Sequence, residues 1–124
     1  MDISSITASS STIEIRHPAT GEPLGLRITL RPTSSTEVQT VKRRITNESI
    51  RMRNKNISAE KLEANGLDIL VAMIENMEWE GDTSWHGEKL DATPANIRKL
   101  MKEADWIKKQ VDDAIGDDAA FFQS

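Results

Sequence analysis

Three observations imply an α+β domain, mainly helical, in which an N-terminal β-hairpin is followed by about four α-helices. Apolar residues alternate at period two between Ile13 and Leu30. From Val38 onward they recur at steps of three and four, and Pro and Gly fall where the pattern changes. The third is length: 124 residues suit one domain with a core of its own. Residues 1–11, rich in Ser and Thr, read as a flexible N-terminus without the basic region and apolar block of a secretory signal. Residues 12–116 read as a single domain, with the hairpin over 12–31 and the helical part over 35–116; 117–124 read as a C-terminal tail.

In the hairpin, Ile13 and Ile15 alternate with Glu14 and Arg16, while Leu24, Leu26, Ile28 and Leu30 alternate with Gly25, Arg27, Thr29 and Arg31. Each strand thus has one buried and one wet face. Pro18, Gly21 and Pro23 mark the turn between them. An isolated hairpin is marginal in water, so this one needs the helices or a partner's sheet edge against its apolar face.

Pro32 ends the second strand, and Ser34, Ser35 and Thr36 offer caps for a first helix. Val38, Val41, Ile45 and Met52 share one face of it. Asn54-Lys55-Asn56 breaks the pattern, and Ser58 caps a second helix carrying Leu62, Ile69, Leu70, Met73 and Met77. Gly66 inside that helix costs about 1 kcal/mol relative to Ala and marks a kink or a close approach. Glu78 to Asp91 reads as turn and loop around Gly81 and Gly87. Thr93-Pro94 supplies the cap and first residue of a third helix with Ile97, Leu100 and Met101 buried. Asp105 caps or opens a fourth, through Trp106, Ile107, Val111, Ala114 and Ile115, with Gly116 at the position after its end.

Composition narrows the function classes. With 37% apolar and 29% charged residues and a mean hydropathy of -0.50, much of the surface must be ionic. No apolar run approaches the ~20 residues that span a bilayer. The absence of cysteine removes disulfides, cysteine zinc sites and thiol nucleophiles, and it fits a reducing cytoplasm. The net charge of -4 conceals an asymmetry: residues 1–62 carry ten basic and six acidic side chains, residues 63–124 six and fourteen. Such a division suits head-to-tail association of copies.

Chemistry-bearing constellations are few. His86 with Asp82 and Glu88 has the composition of a metal site, but one His and two carboxylates in a loop read as a polar loop beside Trp79 and Trp85. No Ser lies in a Gly-x-Ser-x-Gly setting, and Gly21–Gly25 lacks the Gly-Lys-Ser/Thr ending of a phosphate loop. Asp112-Asp113 and Asp117-Asp118 sit in a polar, helix-ending region. The residues point to a non-enzymatic protein with no catalytic residue, metal or cofactor to assign.

Binding is the better-supported class. Lys42, Arg43, Arg44, Arg51, Arg53 and Lys55, against Glu48 alone, form a candidate partner-binding face. It reads as a solvated helix face, as a contact for an acidic protein surface (another copy's acidic half included), or as a phosphate contact. Overall acidity and the lack of interleaved aromatics count against nucleic acid. Trp79, Trp85 and Trp106 are expected to form the main core of the helical part, with loop-borne Trp85 alternatively a partner anchor. Phe121-Phe122 either docks on its own domain or inserts into a neighbour.

The order of these features resembles one family. The hairpin with its Pro18-Ala19-Thr20-Gly21-Glu22-Pro23 turn is followed by the basic helix, Ser58-Ala59-Glu60-Lys61-Leu62 and a helix running into Trp79. Gly87-Glu88-Lys89-Leu90, Thr93 to Leu100, Asp105 to Val111 and Phe121-Phe122 complete the series. The whole is similar to the tail assembly chaperones of long-tailed bacteriophages, in their short, non-frameshifted form. The resemblance implies a protein that binds the tape measure protein, recruits tail tube subunits around it in the host cytoplasm, and is absent from the mature virion. It supplies no binding residues to carry over. A head–tail connector or tail completion subunit is the alternative, and a small nucleic-acid-binding regulator using residues 42–55 is a third reading.

Overall fold

The computed structural model describes residues 1–52 and 57–122. Strands β1 (Ser11–Arg16) and β2 (Pro23–Leu30) form the expected hairpin, and helices α1 (Thr36–Arg51) and α2 (Ala59–Met73) follow. The chain then makes a third strand, β3 (Ile74–Trp79), before α3 (Pro94–Glu103) and α4 (Asp105–Ile115). The sheet is antiparallel in the order β1-β2-β3. The class is α+β, with helix predominating.

The third strand corrects the reading of the second helix, which had carried its apolar stripe through to Met77. Met73, Ile74 and Met77 satisfy a helical period, but helix α2 stops at Met73 and Ile74 turns extended (φ -80°, ψ 112°). Pairing with β2 then sets Met77 opposite Ile28 and Glu78 opposite Arg27. A register shift between Thr29 and Leu30 lets Ile74 and Met77, three residues apart, both face the core. The competing principle is the free edge of β2, whose backbone groups the third strand satisfies.

Local signals place the helix starts as anticipated. Ser35, Ser58 and Thr93 accept hydrogen bonds from the backbone N–H of Val38, Lys61 and Asn96, at 3.4, 3.1 and 3.2 Å. Asp105 opens α4 without capping it. Gly116 ends that helix in a right-handed conformation (φ -72°), so its expected left-handed cap is not used.

The inner sheet face and the helices share one aliphatic core. Ile15, Ile28, Leu30, Val38, Met73 and Ile97 are among its fully buried members. The three tryptophans are half-buried and pack against this core without forming it, contrary to expectation. For two of them the cause is polar: Trp79 Nε1 donates to the Leu90 carbonyl at 2.9 Å and Trp85 Nε1 to Glu103 Oε2 at 3.2 Å. Both of these indole N–H groups are thereby held at the margin of the core.

Both ends of the domain are tied to the free edge of β1. Gln110 of α4 behaves like a peptide group: its Oε1 accepts from Arg16 N–H at 2.8 Å and its Nε2 donates to the Arg16 carbonyl at 2.9 Å. Before the strand, Ser9 N–H donates to the Phe121 carbonyl at 2.6 Å, and Ala8 packs on the core. Short 3-10 turns at Ile3–Ser5 and Asp118–Phe122 lie in the segments read as a flexible start and a tail. Arg31 joins three elements. Its Nη1 donates to the carbonyls of Ala72 in α2 and Ile74 in β3, and its Nε lies 3.7 Å from Glu37 of α1.

Candidate partner-binding surfaces

Helix α1 packs mainly against α2 and buries only Val38 fully. The basic face therefore divides by geometry. Arg43 and Arg51 are exposed and Lys42 is half-buried; Arg53 and Lys55 lie outside the described residues. Arg44 is engaged within its own domain. Its guanidinium reaches Asp68 of α2 at 2.8 Å and Glu48 at 3.3 Å.

That pair belongs to a longer ionic chain. Asp68 also receives Arg98 of α3 at 2.7 Å, and Lys61 of α2 approaches Glu48 at 3.3 Å. Partial burial pushes the Asp68 carboxyl up, but hydrogen bonds and charge from Arg44 and Arg98 outweigh it and hold the group below its ordinary value. The Glu48 carboxyl is likewise lowered, first by Lys61 and then by Arg44. The Arg44 guanidinium is raised by its bond to Asp68. One carboxylate thus clamps α1 and α3 to α2. Beside this chain, Asn65 is buried in α2, and its Oδ1 has no hydrogen-bond partner among the described residues.

A groove of about 560 Å³ runs between α2 and the α3–α4 pair. Ala64, Leu67 and Met101 give it apolar lining. Glu60 and Glu63 stand on the α2 side, and Arg98, Lys102 and Lys108 stand on the other together with Asp105 and Asp112. Gly66 borders it, and a Cβ built there would meet nothing within 4 Å. The close approach expected as one alternative at Gly66 does not occur, and α2 runs unbroken through the residue. Bare backbone at the wall of a groove lets another chain approach closely.

A second surface lies at the tip of the α1–α2 pair. Ile50, Ile57 and Leu62 are exposed there, at 58%, 37% and 58%. Leu62, expected in the buried stripe, escapes burial because the first turn of α2 extends beyond the core. Sequence periodicity alone could not expose this, since Leu62, Ile69 and Met73 keep helical spacing.

Trp85 begins a two-residue hairpin closed by reciprocal backbone bonds with Glu88, of 2.8 and 3.0 Å. His86 (φ 50°) and Gly87 (φ 80°) occupy its tip in left-handed conformations. The His86 ring meets Trp85 edge-on at 5.2 Å. Among the described residues no group of three or more His, Cys, Asp or Glu is arranged to hold a metal, so Asp82, His86 and Glu88 are not brought together. Phe121 is buried in its own domain while Phe122 is 54% exposed, which divides the pair. Among the described residues no helix is long and apolar enough to cross a membrane.

No protein-family model matches this chain, and no similar curated protein or solved structure was found.

Proposed function

We propose that this protein is a non-enzymatic assembly chaperone of a phage tail, which binds the tape measure protein and recruits tail tube subunits in the host cytoplasm, leaving before the virion matures. The order of sequence features first suggests the role. The observation that carries it is the groove between α2 and α3–α4, whose apolar lining is flanked by charged side chains. An amphipathic helix seats its apolar stripe in such a groove and its polar flanks on the rims. A tape measure protein is a long chain of such helices, insoluble without cover. The nucleic-acid reading loses support from Arg44, which spends its charge on Asp68 and Glu48.

Co-expression with the tape measure protein of the same genome, followed by pull-down, tests the proposal. Soluble tape measure recovered only with this chain is the expected result. Leu67→Glu, which puts a charge into the groove, abolishes recovery. Insoluble tape measure with both wild type and longer frameshifted form would sink the reading.

A further inference from the structure

The sheet has two edges, and they are treated differently. Gln110 and the bond from Ser9 to Phe121 close the edge at β1. Strand β3 forms the other edge and packs chiefly against β2 and α2. Glu80 N–H donates to the Gly25 carbonyl at 2.7 Å, which sets the phase of the antiparallel ladder. Glu78 and Asn76 therefore direct their backbone groups at β2, and Met77 and Trp79 direct theirs outward. Among the described residues no group meets the outward N–H and C=O of Met77 and Trp79. The register shift between Thr29 and Leu30 and the Arg31 bond to the Ile74 carbonyl limit the open stretch to residues 76–79.

Side chains on the outer sheet face line up in rows across the strands. Thr12, Thr29 and Asn76 form one row, with the two hydroxyls 3.0 Å apart. Glu14, Arg27 and Glu78 form the next, so charge alternates along it and ends in a carboxylate at the open edge. Glu78 is exposed and, among the described residues, enters no salt bridge, whereas Arg27 reaches Glu80 at 3.0 Å. We infer that an extended cationic segment of a partner protein adds to β3 as a fourth, antiparallel strand. The pleat fixes the pattern of that segment. Its residues opposite Met77 and Trp79 exchange backbone bonds with them and turn toward the core side, so they are apolar. The residue opposite Glu78 is Lys or Arg and continues the alternation of charge; the one opposite Asn76 is Thr, Ser or Gln. A second copy's β3 would bring exposed Glu75 and Glu78 against like charges, so the same carboxylates bar self-pairing and admit a cation. The edge is separate from the groove between α2 and α3–α4, and this inference does not rest on the chaperone role.

Amide exchange followed by NMR on the full chain is the test. In the free chain, Met77 and Trp79 are expected to exchange faster than Asn76 and Glu78. The probe is a short blocked peptide alternating valine and lysine, at millimolar concentration. It is expected to slow exchange at Met77 and Trp79 by about tenfold or more and to leave the amides of β1 unchanged. The same peptide N-methylated at its valines keeps its charge but loses the donors that face β3, and is expected to protect neither amide. A peptide with glutamate in place of lysine should bind more weakly, and Glu78→Lys should reverse that preference. Slow exchange at Met77 and Trp79 in the free chain overturns the proposal, as does a lack of protection by the valine–lysine peptide. Equal protection by the N-methylated peptide reduces the contact to charge alone and overturns it too. Protection that appears in the chain alone as its concentration rises assigns the edge to a second copy, with the same consequence.

Discussion

Replacing Asp68 with Asn probes the clamp that orients α1 and α3 on α2. The substitution keeps the shape of the side chain and removes its charge. Two charge-assisted hydrogen bonds are affected, at 2.8 Å to Arg44 and 2.7 Å to Arg98. Each such bond in a protected site contributes about 1.5–3 kcal/mol. Here the partner side chains are 45% and 40% exposed, so solvent screens much of that. A loss of about 1–2 kcal/mol for Asp68→Asn follows. For a chain of this length that corresponds to a fall of about 6 °C in Tm. The pH dependence supplies the sharper check. Because the folded carboxyl is held below its ordinary value, its contribution is complete above the unfolded pKa, near ~4, and is lost as pH falls through the folded pKa. The stability gap between wild type and Asp68→Asn should therefore be flat around neutrality and close in acid. Urea unfolding followed by tryptophan fluorescence at both pH values measures it, with an unchanged denaturant slope as control. A neutral-pH gap under about 0.5 kcal/mol, or one that persists unchanged in acid, would refute the clamp.

Other substitutions test other joints. Gly25 holds φ 89°, and a Cβ there would lie 2.6 Å from Thr83 Oγ1, which donates to the Leu24 carbonyl. Gly25→Ala should lose about 2–3 kcal/mol by thermal melting, from backbone strain and that broken bond together. Adding Thr83→Ala should cost little more, and full additivity of the two would contradict the contact. His86→Val puts a β-branched residue at φ 50° and should lower stability by about 1–2 kcal/mol, with loss of the Trp85–Glu88 hairpin visible by amide exchange. Gln110→Glu leaves the Arg16 carbonyl facing a carboxylate instead of its donor, for a loss of about 1–2 kcal/mol at neutral pH. That deficit should shrink in acid as the introduced group protonates, and a pH-independent deficit would argue against pairing along the β1 edge.

By itself the sequence determined the hairpin, the helix starts and the class. Alternation from Ile13 to Leu30 and the caps at Ser35, Ser58 and Thr93 depend on residues near one another in the chain, where local rules suffice. It left undecided everything that depends on which face meets which. Met73, Ile74 and Met77 suit helix and strand alike, and only the free edge of β2 selects the strand. Arg44 reads as one more exposed cation until Asp68 and Arg98, distant in sequence, arrive beside it. Leu62 and Phe121 look interchangeable as apolar residues, yet one is exposed and the other buried. The groove between α2 and α3–α4 has no sequence signature, because its walls come from helices about thirty-five residues apart. Periodicity names the apolar face of an element; what that face meets, and how much of it stays open to a partner, is set only when the elements pack.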